Sequence, residues 1–109
     1  MVRHLDHVLR DQRLDVLGLA FGAMRLRKMA FELGPFGINI NAIAPSLTLT
    51  ERIRPHWERR SQEMQAAEID RTPLRRLAEA PDQAKVICFL ASSDADFVTG
   101  VTIDVTGGN

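Results

Sequence analysis

The sequence predicts an α/β fold in which a long N-terminal helix precedes a strand–helix–strand unit. Residues 2–33 contain no proline, and their apolar positions recur at helical spacing. Two short runs rich in β-branched residues, 38–44 and 100–105, are separated by a segment long enough for a crossover helix. Because a crossover of this kind joins parallel strands, we expect these two strands to be parallel.

The helix over residues 2–33 carries apolar side chains on more than one face. Between Leu14 and Met24 it is apolar nearly all round, which is not typical of a helix with one face in solvent. The Gly34-Pro35 pair ends the helix, since glycine is a favoured C-cap and proline cannot continue it. We therefore expect this helix to be covered on two sides.

The rest of the chain divides into short elements. The strand at 38–44 lies between Gly37 and Pro45, and residues 57–70 have the composition of an exposed helix. Another helix begins near Pro81, a favoured residue in the first turn. Its predicted apolar face is Ala84, Ile87, Cys88 and Ala91.

Length and composition limit the classes of function. The 109 residues predict one domain, and 14 basic side chains balance 14 acidic ones, which argues against nucleic acid as a partner. No apolar run has the length of a membrane span, and charged residues interrupt any leader-like segment near the N-terminus. Cys88 is the only cysteine, which is typical of a reducing compartment, so we expect a cytoplasmic protein.

Three phrases point to a known family: "MAFELGPFGININAIAPS", "TPLRRLAEAPDQAKVICFLASSDADFVTG" and "VTIDVTGGN". Together they resemble the C-terminal half of a short-chain dehydrogenase/reductase, over residues 15–109. The resemblance implies a Rossmann-like fold. Residues 1–14 do not resemble the family, and we interpret them as a helical extension of the long helix.

The same resemblance implies that family chemistry is absent. Counting back from "FEL", the family's catalytic Tyr-x-x-x-Lys pair falls on Asp15 and Leu19, and the chain contains no tyrosine. No Gly-x-Gly-x-x-Gly turn for a dinucleotide is present either. We therefore expect no cofactor. The positions that match the family's nicotinamide loop are interpreted as vestigial: Pro45, Ser46, Thr48 and Thr50.

A small hydrolase is the alternative. Carboxylates and a histidine of the glycosidase or esterase kind are available, the candidate catalytic residues being Asp15, Glu51, His56 and Glu58. Trp57 lies among them and could stack on a sugar or an aromatic ligand. No metal site is predicted, since His4, His7 and Asp11 are interpreted as a solvated helix face rather than as ligands.

Two strands alone are not stable in water, so the sequence predicts an obligate homo-oligomer. The contacts would be helix 2–33 and the strands 38–44 and 100–105. The predicted function is thus a self-associating α/β module without dehydrogenase activity. The hydrolase alternative would place its pocket at the oligomer interface.

Overall fold

The computed structural model of the chain describes residues 3–8 and 16–109. Short 3-10 turns at Gly34–Phe36 and Ser93–Ala95 follow the first and the last long helix. The remaining elements, in chain order, are β1 (Arg3–Val8), α1 (Val16–Leu33), β2 (Ile38–Pro45), β3 (Thr48–Leu49), α2 (Arg54–Glu58), α3 (Gln62–Arg71), β4 (Ala78–Glu79), α4 (Ala80–Ala91) and β5 (Thr102–Val105).

β2 is the central strand of a three-stranded parallel sheet with the order β1–β2–β5. β1 pairs with β2 along its whole length, from Arg3 opposite Ile38 to Val8 opposite Ile43. β5 pairs with the other edge of β2, from Thr102 opposite Ala42 to Val105 opposite Pro45. The α/β class and the parallel pairing of the two predicted strands are confirmed, although β5 begins two residues later than predicted.

The predicted helix over residues 2–33 is wrong at its N-terminal end. Arg3–Val8 is a strand, and the helix begins at Val16, while residues 9–15 lie outside the described part of the chain. The helical spacing of the apolar residues is local, but the free edge of β2 needs backbone partners, and only another strand supplies them in a ladder. For the same reason His4 and His7 are strand residues and do not share a helix face.

The two faces of β2 pack against different helices. Ile40 and Ala42 form a core cluster with Leu26 and Ala30 of α1. Side chains alternate along a strand, so Asn39, Asn41 and Ile43 point to the opposite face. There the two asparagines meet the segment that follows α4, and α4 itself lies across all three strands. The sheet is therefore covered by a helix on each face.

This arrangement gives the two crossovers opposite hands. Both connections step in the same direction along the sheet, β1 to β2 and β2 to β5, yet α1 and α4 lie on opposite faces. For parallel strands in one sheet, the face on which the connection runs determines its hand. One of the two crossovers therefore departs from the usual right-handed rule.

Buried asparagines fix the loop between α4 and β5. Asn41 Nδ2 donates to the carbonyl of Val98 at 3.0 Å, and Asn41 Oδ1 accepts from the Val101 amide at 3.3 Å. Asn39 Nδ2 lies within hydrogen-bond distance, 3.0–3.3 Å, of three loop carbonyls, those of Ala95, Asp96 and Val98. Buried carbonyls without donors are costly, so these two side chains hold the loop against β2.

The apolar face predicted for α4 is wrong by about a quarter turn of the helix. Leu90 is fully buried, with Val86 and Ile87 half-buried, whereas Ala84, Cys88 and Ala91 are exposed. Both sets of residues have helical spacing. The set with Val86, Ile87 and Leu90 packs against the sheet because its larger side chains bury more apolar area.

The predicted helix at 57–70 is two helices, α2 and α3. Ser61 separates them, and its hydroxyl accepts from the Met64 amide at 3.2 Å as the N-cap of α3.

Gly100 is a position where the fold requires glycine. Its φ is +74°, and a Cβ there would lie 3.0 Å from Ala30 Cβ in the core. We expect Gly100→Ala to lower the free energy of unfolding by about 1–2 kcal/mol. Gly34→Ala is the matched control, because no atom lies within 4 Å of a Cβ at that position. Urea unfolding measures both, and an equal effect of the two substitutions would contradict this account.

Candidate ligand-binding edge of the sheet

The carboxyl ends of β2 and β5 meet at one edge of the sheet. Pro45 lies opposite Val105 at the end of the shared register, and the Ser46 amide donates to the Val105 carbonyl at 3.4 Å. Open parallel sheets hold ligands outside the carboxyl ends of their strands. This edge is therefore the candidate site, and it contains the loop positions that the sequence analysis singled out.

The polar groups of that loop are bonded within the loop itself. The Thr48 hydroxyl donates to the Ser46 carbonyl at 2.9 Å. The Thr50 carbonyl accepts from the amides of Ile53 and Arg54 at 3.1 and 2.8 Å, so Thr50 begins the turn into α2. These contacts fix the shape of the loop. Whether Pro45, Ser46, Thr48 and Thr50 are vestigial as cofactor contacts stays a prediction.

Gln83 joins the loop to the end of the sheet, and the sequence analysis missed it. Its Nε2 donates to the Val105 carbonyl at 3.0 Å and lies 3.4 Å from Thr48 Oγ1. Its Oε1 is buried and has no hydrogen-bond partner in the described part of the chain. A buried acceptor without a donor lowers the free energy of unfolding. The contacts of Nε2 therefore hold the Gln83 side chain in place at a cost in stability.

The first turn of α4 is organised by a capping box. Asp82 Oδ2 accepts from the Glu79 amide at 2.7 Å, and the Glu79 side chain caps the N-terminus of the helix in return. The spacing of three between Glu79 and Asp82, around Pro81, was the signal in the sequence that could have identified this turn.

Asp82 also binds Arg76 through both carboxylate oxygens. Nη1 donates to Oδ2 at 2.7 Å and Nη2 to Oδ1 at 2.9 Å, a planar bidentate pair. The hydrogen bonds from Arg76, and then that from the Glu79 amide, hold the pKa of the Asp82 carboxyl well below its usual range. The same pairing raises the pKa of Arg76.

A cavity of about 150 Å³ opens beside this pair. The residues that line it are Leu74, Arg76, Ala78, Asp82, Val105, Thr106 and Gly107. The C-terminal turn closes one side: the Leu74 amide donates to the Gly107 carbonyl at 3.1 Å. A Cβ on Gly107 would lie 2.8 Å from Thr72 Cγ2, so only glycine permits this approach.

The residues proposed for hydrolysis do not line this cavity. Glu51, His56 and Glu58 are exposed on the segment around α2, and Asp15 lies outside the described residues. Trp57 is 9% exposed, with the Arg60 guanidinium 5.8 Å from its ring centroid. The expectation that Trp57 offers a free stacking surface is therefore wrong, because its side chain is almost fully buried.

Across 3–8 and 16–109, no helix combines the length and the apolarity needed to cross a membrane. Within the same ranges, no group of three or more His, Cys, Asp or Glu side chains is placed to hold a metal ion.

Comparison with known proteins identifies relatives over most of the chain. A family model described as enoyl-(acyl carrier protein) reductase matches residues 23–109. A short-chain type dehydrogenase/reductase of Sinorhizobium fredii is 41% identical over 88% of this chain and 34% of its own length. The 3-oxoacyl-[acyl-carrier-protein] reductase of Haemophilus influenzae is 38% identical over 75% of this chain and 32% of its own.

Solved structures match the fold as well. The crystal structure of a hydroxysteroid dehydrogenase from Escherichia coli superposes with a TM-score of 0.80 at 28% identity. The match covers 97% of this chain and 45% of that one. The chain thus spans about a third of the length of the curated relatives named here and under half of this solved structure.

The contribution of Asp82 to stability should depend on pH with a defined sign. Because its pKa is lowered in the folded state, the stabilisation is complete above the pKa of the unfolded chain, about 3.9. It decreases below that point and is lost as the pH falls through the lower pKa of the folded state. We expect Asp82→Asn to destabilise the protein equally from about pH 8 to about pH 5, and progressively less below about pH 4.

Urea unfolding of the wild type and the variant across this range is the measurement. Asp70→Asn is the matched control, since the Asp70 side chain is 78% exposed and lies 3.8 Å from its partner Arg75. Its effect should be near zero at every pH. An Asp82→Asn effect that stays constant down to about pH 3 would contradict the assignment.

Proposed function

The chain belongs to the short-chain dehydrogenase/reductase family, and from this premise we propose that it is a self-associating α/β module that does not perform hydride transfer by itself. It contributes the C-terminal half of the family fold, including the carboxyl edge of the sheet. The single cysteine supports a reducing compartment, the cytoplasm.

The absence of the family's acid carries this proposal. The family's chemistry needs a tyrosine whose pKa is lowered by a lysine ammonium one helical turn away. The chain has no tyrosine, and the two corresponding positions are Asp15 and Leu19. A carboxyl group is already ionised near neutral pH and so cannot supply the proton, and leucine carries no charge.

The cofactor side of the site supports the same conclusion. Thr48 and Thr50 use their oxygens within the loop, and the sequence has no Gly-x-Gly-x-x-Gly turn to bind a pyrophosphate. The Haemophilus relative is named for reduction of 3-oxoacyl groups on an acyl carrier protein. That substrate is not assigned to this chain, because the residues that would protonate it are replaced.

The surface of α1 supports self-association. Leu26 and Ala30 are buried against β2, while Met24 and Phe31 are 67% and 86% exposed. The two exposed side chains are seven residues apart and so lie along one helix face. Burial of each in a second copy would stabilise the assembly by up to about 1.5–3 kcal/mol.

The small-hydrolase alternative receives no support from the described residues. Its candidate side chains Glu51, His56 and Glu58 are exposed and lie outside the cavity.

We expect NADH and NADPH to bind with dissociation constants weaker than about 10 μM, about −7 kcal/mol, by isothermal titration calorimetry. The double variant Asp15→Tyr, Leu19→Lys restores the two side chains alone and should show no oxidation of NADH or NADPH with a panel of carbonyl compounds. Tight binding, or turnover by either protein, would contradict the proposal.

The association surface can be tested with a pair of methionine substitutions. Met24→Asp should shift the protein toward the mass of one chain, 12.2 kDa, because it places a charge in the proposed contact. Met64→Asp is the matched control, since Met64 is 57% exposed on α3, away from α1. Light scattering measures the mass. A wild type that is monomeric at micromolar concentration, or an equal effect of both variants, would refute the contact.

A further inference from the structure

β1 is an edge strand, and no strand in the described part of the chain pairs with its outer edge. The sheet has the order β1–β2–β5, so β2 takes one edge of β1 along its whole length and leaves the other edge open. An open edge presents a row of backbone N–H and C=O groups to any strand that can pair with it. The sequence of β1, RHLDHV, contains neither proline nor glycine to interrupt such a ladder.

The family match does not account for the residues of β1. The family model covers residues 23–109, and β1 lies before that range. Charged residues on an edge strand oppose pairing with most partners, because like charges directly opposite each other are destabilising. The order of basic and acidic residues in β1 therefore selects among possible partner strands.

A second copy of β1 in antiparallel orientation satisfies this order. Opposite residues of an antiparallel pair share a face, so a two-fold axis perpendicular to the sheet pairs only residues an even number of positions apart. With Leu5 on the axis, each His4 lies opposite Asp6 of the second copy, and each Arg3 lies opposite His7. Histidine can donate a hydrogen bond to a carboxylate in either protonation state. With Asp6 on the axis instead, two like charges would meet.

We propose that two copies of this chain pair through the outer edges of their β1 strands, antiparallel and with Leu5 on the two-fold axis. This contact is separate from the α1 surface that contains Met24 and Phe31, and it does not rest on the proposed function. A chain that carries both contacts would form assemblies larger than two copies.

The same axis leaves both faces of the joined sheet covered. α1 packs on one face of β2, and α4 lies on the other. Rotation about an axis perpendicular to the sheet returns each helix to its own face. The joined sheet would have the strand order β5–β2–β1–β1–β2–β5 with helices on both sides, as buried parallel strands require.

The Met24→Asp variant isolates the β1 contact, because it disrupts the α1 contact. At micromolar concentration we expect light scattering to give the mass of two chains of 12.2 kDa each. In this background, His4→Asp should lower the mass toward one chain, since it places an acidic residue opposite Asp6 in both symmetric pairs. His7→Asp is the matched control. The same change in the same strand places the acid opposite Arg3, so the mass of two chains should be kept.

Exchange of the two residues tests the register itself. The double variant His4→Asp, Asp6→His restores both pairs in reversed order, so it should recover the mass of two chains. A general loss of strand stability in His4→Asp would not be reversed by this exchange.

Hydrogen exchange followed by NMR tests the backbone ladder independently of charge. Successive residues of a parallel strand direct their amides to opposite edges, so alternate amides of β1 belong to the outer edge. In the Met24→Asp background these amides should exchange about tenfold more slowly after a hundredfold rise in protein concentration, because their exchange requires the free chain. The amides of Ala42 and Gly100, which donate to the Val101 and Ile40 carbonyls, should stay protected at every concentration and report an intact fold.

The outcomes separate this contact from the α1 contact. A folded Met24→Asp variant with the mass of one chain would overturn the β1 contact, whether the edge stays open or takes a strand of another protein. Equal loss of mass with His4→Asp and His7→Asp, or no recovery in the double variant, would overturn it as well. A wild type of two chains that Met24→Asp leaves unchanged and His4→Asp dissociates would support the β1 contact and refute the α1 contact.

Discussion

The two-sided pairing of β2 is the interaction on which the rest of the structure depends. β1 and β5 pair with its two edges, and helices cover both of its faces, so the strand is buried over most of its length. A parallel sheet is stable only with both faces covered. Here one face uses apolar packing of Ile40 and Ala42 against α1. The other uses Asn39 and Asn41 to bind the carbonyls of the following loop. Each helix is therefore positioned through a single strand.

The first turn of α4 has a comparable role at the carboxyl edge. Within five residues it supplies Glu79 to α2, Asp82 to Arg76 and Gln83 to both Thr48 and Val105. One helical turn therefore holds the loop after β2, the segment around α2 and the end of the sheet in a fixed relation to one another.

This chain retains the backbone fold of its relatives, but it contains no tyrosine for their catalytic position. The backbone of this chain follows that of the Escherichia coli hydroxysteroid dehydrogenase over 97% of this chain, with a TM-score of 0.80. The packing that produces this likeness needs only apolar volume and a few buried amides, which the sequence retains. Proton transfer in the family needs one particular phenol and one particular ammonium group, and the positions that the resemblance assigns to them hold Asp15 and Leu19. The likeness in backbone and the chemistry of the site therefore depend on different residues.

The sequence by itself determined the α/β class, the parallel relation of 38–44 and 100–105, and the end of the long helix at Gly34-Pro35. These features follow from local periodicity, β-branched composition and the conformational limits of glycine and proline. Tertiary structure decided what local patterns leave open. The spacing of Leu5 and Leu9 in the sequence fits a helix, but the free edge of β2 makes Arg3–Val8 a strand. Two sets of apolar residues on α4 have helical spacing, and the set with Leu90 packs against the sheet because it buries more apolar area. Gln83 could not be identified as part of the candidate site from the sequence, because its partners Thr48 and Val105 are distant in the chain and meet only through the fold.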